Sequence, residues 1–438
     1  MPTLMLRHGL NIEFDTWTND YPSSVRVDWY LNNNIVGSGT YEVDSANYFC
    51  EKVVGAYNKV VITFSASTSI MNNGYRFLKI YNLTDGISRE FYNEELTRCE
   101  IIEEIDSNNK ALSINEASLV ILPSTTAGVS FQRTLPLYIY RNDVLFGKFF
   151  VNTSTSNTFK TLYNLKANDY ISVLEAQTYL GGMYNNVTAS TLFADILGEI
   201  PYTLDAELGA KTISGYLPIM NKREALRQVA FCLNAEVDTS RSDGVLIKSL
   251  ATTSSRDIPP SEIVSINTTQ ENIVTQIVLE TTTLTTKNAS TDNIYSENLN
   301  GQLKIMFDTP KFDLEIIGGT IVISNLNYAV ISGTGGLVTL TGKDYNKATK
   351  SVTKQNPYVV STDIEKVVNY STTLTSNVDL INSLQFIRYK IKSNFLMSDT
   401  KVGDIVTLNG MEARVVELNY DLWQTNIYCD AELEVYYG

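Results

Sequence analysis

A single histidine, His8, lies near the start of this 438-residue chain. Ser-His-Asp and Cys-His hydrolysis each need an imidazole oriented by a partner, and one histidine without a motif supplies neither. Histidine-based zinc sites fail for lack of ligands. The four cysteines, Cys50, Cys99, Cys232 and Cys429, are far apart and form no CxxC pair. They read as four separate thiols, each a small buried hydrophobe, made in a reducing compartment. Neither GxxxxGK[ST] nor GxGxxG occurs. The Gly-rich SGTGG at 332–336 lies between β-like segments and opens no helix, so it reads as a turn and not a phosphate cradle. Glycoside hydrolysis needs two carboxylates at a set separation, and no local motif singles out a pair among the 48 acidic residues. DTWTND at 15–20 places Asp15 and Asp20 among polar neighbours, but no Gly or Glu follows at EF-hand spacing, so a solvated turn is expected. Trp17, Tyr21 and Tyr48 could stack on a sugar, although such rings more often pack into a core or interface. The expectation is a protein that is not an enzyme, with no catalytic, cofactor-binding or metal-binding residues.

The elements around these residues are mostly strands. Hydrophobic residues make up 43% and charged residues 19%, which is the composition of a folded chain. Twenty-six tyrosines and abundant Thr favour strands, while abundant Asn and Ser favour turns. In SSVRVDWYL, Val25, Val27 and Trp29 share one face, and KVVITFS repeats the alternation with Val60, Ile62 and Phe64. Turn chemistry follows at 32–34 and 71–74. LPLYIY and VLFGKFFV flank Arg141-Asn142-Asp143, a hairpin connection, and Asn409-Gly410 marks another. RCEIIEEIDS and ALSINEASLVIL read as strands. Helical spacing appears at Leu192, Phe193, Ile196, Leu197 and Ile200, with Pro201 as the stop. A second helix starts near Asn221, with Glu224 placed for a capping box and Ala225, Leu226, Val229, Ala230 and Leu233 as its apolar stripe. AEVDT and GVLIKSL, joined by SRSD, form a hairpin after it. Residues 254–262 read as a linker, and the polar 280–300 as a loop or exposed hairpin. Thr362 and Glu365 read as a capping box opening a short helix with Ile364, Val367 and Val368 inward. The expected units are a β-sandwich at 1–94, a β unit at 95–180, a small α/β module at 181–250 and a second β region at 251–438.

The formal net charge of -14, with no basic run, excludes a phosphate-clamping DNA binder and disfavours anionic membrane surfaces. The segment MPTLMLRHGL lacks a signal peptide's apolar core, and no stretch approaches a membrane span of about 20 apolar residues. Synthesis and folding in a cytoplasm are expected.

Several blocks carry a family resemblance. REALRQVAFCLNAEVDTSRSDGVLIKSL at 223–250 resembles a segment of tail proteins of phages and prophages of Clostridium-like bacteria. Residues 91–122, 181–205, 307–345 and 402–422 resemble further blocks of the same tail-tip and baseplate hub family, in order. VRVDWY, DSANYFCEKVVGAYNKVVITF and GYRFLKIYN are similar to a discoidin-like sandwich that precedes the hub core in those phages. The resemblance implies a mainly β fold: the sandwich at 1–94, a first hub β-barrel at 95–180, the α/β module at 181–250, and a second hub β-barrel at 251–438 with an inserted β region and a short helix. It implies a homotrimer around the DNA channel of a virion tail, assembled in the host cytoplasm. A tail-tube or distal-tail ring would lie above it, a spike or tip protein below, and other baseplate proteins beside it, with DNA passing without specific binding. The alternative is a peripheral adsorption protein whose sandwich binds a host-surface glycan.

Overall fold

The computed structural model describes residues 2–6, 9–14, 21–52, 54, 57–65, 78–86, 89–108, 110–123, 131, 133–159, 161–270, 273–286, 290–359 and 366–437. His8, Asp15, Trp17, Asp20, the 71–74 turn, and Thr362, Ile364 and Glu365 lie outside these residues. The fold is mainly β. Its centre is a thirteen-stranded sheet that draws strands from both ends of the chain. In order across the sheet run Ile263–Thr269, Ile387–Leu396, Tyr428–Tyr436, Met411–Asp421, Leu96–Glu104, Glu116–Ile121, Tyr163–Asn168, Val144–Ser156, Pro136–Arg141, Pro2–Leu6 and Arg89–Tyr92. Ser254–Ile258 and Ile405–Leu408 complete it beside Met411–Asp421. The strands of the two β blocks expected from the sequence therefore hydrogen-bond into one sheet, joined where Glu104 pairs with Glu417 and Ile101 with Tyr420. Alternation supplies the joint with a shared core. Leu96, Cys99 and Ile101 pack in one hydrophobic cluster with Phe395, Val415, Leu418 and Leu433.

Short-range turn chemistry acts as the sequence suggests. Asn142 and Asp143 adopt φ 50° and 63°, and Asn409 and Gly410 adopt 48° and 80°. Two consecutive residues at positive φ match the twist of the flanking strands, so each pair closes a tight hairpin. The module helices also form. Ala189–Leu197 buries Leu192, Phe193, Ile196 and Leu197, but it ends at Gly198 (φ 61°), before Pro201 is reached. Lys222–Leu233 begins at Asn221, whose side chain accepts from Glu224 N at 2.7 Å. The Glu224 carboxylate turns along the helix to Arg227 and Gln228. The helix closes at Asn234 in the left-handed region (φ 52°). The four cysteines are free and buried.

Four local expectations change. Residues 254–258 are a strand and not a linker, held by Arg256 donating to the carbonyls of Leu396 (3.0 Å) and Met397 (2.9 Å). Most described residues of the polar 280–300 region lie in two long strands, Val274–Thr285 and Thr291–Met306, which belong to different sheets. Val367 and Val368 sit on the strand Lys366–Thr372. SGTGG lies inside the seventeen-residue strand Tyr328–Asp344. A Cβ on Gly333 would come within 2.5 Å of the Leu299 carbonyl on the neighbouring strand, so glycine serves close strand approach there and not a turn.

The N-terminal boundary also differs. Pro2–Leu6 pairs with Pro136–Arg141 on one side and with Arg89–Tyr92 on the other, Leu6 lying opposite Arg89. The first strand is thus part of the central sheet. The segment between these two strands forms an inserted unit of two three-stranded sheets. Gly9–Phe14 runs between Asn47–Glu51 and Ile80–Gly86, and Ser24–Leu31 runs between Asn34–Glu42 and Lys59–Phe64. The two sheets share a core of Leu10, Ile12, Phe14, Val25, Val27 and Trp29.

Candidate functional site

A buried polar cluster is built around the turn Thr239-Ser240-Arg241-Ser242-Asp243-Gly244. Ala235–Asp238 and Val245–Ser249 pair antiparallel below it. Asp238 Oδ1 starts the turn by accepting from Ser240 N at 2.7 Å. Arg241 sits in the left-handed region (φ 51°), which aims its side chain out of the module into the joint of the central sheet. Ser242 O accepts from Lys148 N at 3.2 Å, tying the turn to Val144–Ser156.

Arg241 grips Glu103 with two nitrogens, Nε to Oε1 at 3.1 Å and Nη2 to Oε2 at 3.2 Å. Its Nη2 also donates to the Thr400 carbonyl at 2.8 Å. The Tyr420 hydroxyl donates to Glu103 Oε1 at 2.7 Å. The rings of Phe146 and Tyr420 lie 5.6 and 5.8 Å from the guanidinium carbon. One side chain from the module therefore contacts the strand Leu96–Glu104, the strand Met411–Asp421 and the segment after Ile387–Leu396. Burial pushes the Glu103 carboxyl upward, and Arg241 opposes that push. Burial works against the Arg241 charge too, but Glu103 outweighs it and the pKa lies above the ordinary value.

Two further groups flank this contact. Asp169 caps the helix Tyr170–Glu175 through Ile171 N at 3.0 Å, and it accepts from Asn115 N at 2.9 Å and from the Thr239 hydroxyl. The Asn115 amide donates to Thr239 Oγ1 at 2.9 Å and Ser240 Oγ at 3.3 Å. On the other side, Lys248 Nζ lies 2.9 Å from Glu236 and 3.3 Å from Asp238. Arg414 lies 3.6 Å from Glu236 and donates to the Ala251 carbonyl at 2.7 Å. Glu236 is held by charge more than by aligned hydrogen bonds. Burial works against the Lys248 ammonium, and Asp238 and Glu236 outweigh it to about 12.

Burial pushes the Asp169 carboxyl up to about 6, from 3.8, despite its hydrogen bonds. A carboxyl raised in the folded state makes that state bind more protons than the unfolded chain between these values. Its stabilising share is complete below about pH 4 and is lost as pH rises through about 6. Asp169→Asn should remove this limb. The stability difference between wild type and variant, measured by urea unfolding, should be larger at pH 4.5 than at pH 7 by on the order of 2 kcal/mol. A difference that stays flat with pH contradicts the assignment.

The arrangement joins elements from three parts of the chain. Burial raises the thiols of Cys50 and Cys429 to about 12 and of Cys232 to about 11, so they stay protonated and weakly nucleophilic at neutral pH. Tyr21 and Tyr48 pack against the inserted unit's core, with the Tyr21 hydroxyl on the Asp44 carbonyl at 2.7 Å. Among the described residues, no group of three or more His, Cys, Asp or Glu side chains is placed to hold a metal. Sequence reasoning missed the role of Glu103, Arg241 and Tyr420. The only signal was that Arg241 falls inside the VDTSRSD block.

The chain matches no family model and no curated protein. Solved structures with a similar course include prophage tail protein gp18 from Listeria monocytogenes EGD-e, at 10% identity over 79% of this chain and 91% of that one, with a TM-score of 0.46. The tail protein from Neisseria meningitidis MC58 aligns at 8% identity over 79% and 93%, with a TM-score of 0.49. The 43 kDa tail protein of prophage MuSo2 from Shewanella oneidensis aligns at 7% over 79% and 95%, with a TM-score of 0.47. All three are tail proteins, two of them from prophages.

Proposed function

We propose that this chain is a non-enzymatic structural hub of a phage tail tip or baseplate. One observation carries the reading. Blocks at 91–122, 223–250 and 402–422, far apart in sequence and each resembling the hub family, meet physically at the Glu103–Arg241–Tyr420 contact. A family whose sequence signature lies in a buried joint is one whose work is to hold a shape.

In this reading three copies close into a ring, and the two β blocks of each copy, joined in one sheet, face a sixfold tube above and a threefold spike below. Closed cyclic symmetry covers sheet edges that would otherwise template aggregation. The net charge of -14 suits a channel lined by Asp, Glu, Ser, Thr and Asn, which DNA passes without being held. Mass photometry, with the neighbouring tail protein present, is expected to give three times the 48.9 kDa chain mass. A cryo-EM map of the tail tip should place the chain on the axis. A single copy in the particle, or a lumen ringed by Lys and Arg, overturns the reading. Peripheral density instead supports the adsorption alternative.

A further inference from the structure

We propose that the inserted two-sheet unit is a salt-sensitive latch, resting reversibly on the α/β module at Lys222 and on the central sheet at Phe49. This holds independently of the hub reading.

Among the described residues, the unit meets the body at Phe49 and beside Gly198. The first place is the outer face of its sheet Asn47–Glu51, Gly9–Phe14 and Ile80–Gly86. Leu10 and Ile12 turn inward to the unit's own core, so their neighbour Asn11 turns outward, paired with Phe49. Phe49 packs on the central hydrophobic cluster. Asn11 is only 4% exposed, yet its Oδ1 has no hydrogen-bond partner. A buried orphan acceptor loses hydrogen bonds to water that undocking would restore.

The second place is the end of helix Ala189–Leu197. A Cβ built on Gly198 would lie 3.4 Å from Asp44 Oδ2, which belongs to the unit, and 3.7 Å from Lys222 Nζ, which belongs to the module. Lys222 is 9% exposed, and its ammonium makes no hydrogen bond or ion pair among the described residues. Asp44 and Asp195 act on it from opposite sides of the interface, while burial lowers its pKa. Glu199 acts on Tyr48 across the same boundary. Lys222 is therefore a cation placed between Asp44 of the unit and Asp195 of the module without an ion pair to either, so its pull acts through space and weakens as salt shortens the Debye length from about 20 Å at 20 mM to about 4 Å at 500 mM. Contrast the Arg241 contact, where short, two-pronged bonds fix the partners. The latch is held by one Phe contact and by unbonded charge, with an orphan acceptor working against it.

The sign of the salt response is specific. With Lys222 present, salt weakens attraction and the unit lifts. Lys222→Met leaves Asp44 facing Asp195 and Glu199, so the unit lifts at low salt and settles again as salt screens the repulsion. Adding Asp44→Asn to Lys222→Met relieves the repulsion and restores docking at low salt.

The test places a reporter thiol at the covered face with Asn11→Cys in the full chain, read by maleimide labelling and peptide mass spectrometry. Cys99 in the central core reports global unfolding. Labelling at position 11 should be roughly tenfold faster at 500 mM than at 20 mM salt, with Cys99 unchanged. The salt trend should reverse in the Lys222→Met background. Because Asn11→Cys removes the orphan acceptor, small-angle scattering of the unlabelled wild type is measured alongside, and its radius of gyration should grow with salt. Position 11 labelling no faster than Cys99, with scattering that does not change with salt, overturns the latch. So does a salt trend of the same sign with and without Lys222.

Discussion

Replacing Arg241 with alanine is expected to cost roughly 3–5 kcal/mol of stability, the range for removing one partner of a buried ion pair. Glu103 has a side chain only 1% exposed, and Arg241 is 9% exposed. Without Arg241, the carboxylate keeps only the Tyr420 hydroxyl, and the Thr400 carbonyl and the space between Phe146 and Tyr420 lose their filler. Arg241→Lys should fall between wild type and alanine, because an ammonium cannot span both carboxylate oxygens and the carbonyl at once. Pairing Arg241→Met with Glu103→Gln should recover much of the loss, since no charge is then left buried alone. Urea unfolding followed by circular dichroism gives the values for wild type, Arg241→Ala, Arg241→Lys, Arg241→Met, Glu103→Gln and the double variant. A loss below about 1 kcal/mol for alanine, the range of exposed pairs, would mean that water reaches the site and that the contact is not a joint. Strict additivity of the double variant would mean the two residues do not act together.

The same contact marks the limit of reading this chain from its sequence. Features carried by a few neighbouring residues were legible. Alternation buried Val25, Val27 and Trp29, and Asn409-Gly410 turned where two positive φ values were needed. Helical spacing placed Leu192, Phe193 and Ile196 inward. Glu103 and Arg241 are 138 positions apart, and Glu103 and Tyr420 are 317 apart. A charged residue read alone is assigned to the surface, and only the partner reverses that. Partner choice between strands has the same character. Nothing local in Pro2–Leu6 tells whether it joins the inserted unit that follows or the strand at Pro136–Arg141 far along the chain. Residues 280–300 read as a loop or exposed hairpin because Thr291–Met306 is largely exposed, so polar residues occupy both of its faces and the period-two signal is lost.

Excising the inserted unit is expected to leave a soluble, cooperatively folding protein, whereas trimming the chain at the sequence-derived boundary is not. Leu6 and Arg89 are register partners on adjacent antiparallel strands. A two-residue turn is the natural closure of such a pair, as the chain itself demonstrates at Asn142-Asp143. Replacing residues 7–88 with Asn-Gly should therefore convert Pro2–Leu6 and Arg89–Tyr92 into an ordinary hairpin at the edge of the central sheet. The unit's core of Leu10, Ile12, Phe14, Val25, Val27 and Trp29 leaves with it, and the remaining core loses mainly the cover of Phe49. Deleting 1–94 removes the last two strands at this end of the sheet instead. It takes away Phe91, which is fully buried, and opens the strand Pro136–Arg141, where Leu137, Tyr138 and Ile139 are buried. An apolar, unpaired strand edge recruits other chains, so this truncation should aggregate. Soluble yield, size-exclusion profile and thermal unfolding of the two variants side by side decide the matter. Aggregation of the Asn-Gly variant would make the inserted unit an indispensable part of the central fold. Equal solubility and equal melting of the two variants would mean that Pro2–Leu6 and Arg89–Tyr92 add nothing to the sheet they border, contrary to their pairing and to the burial of Phe91.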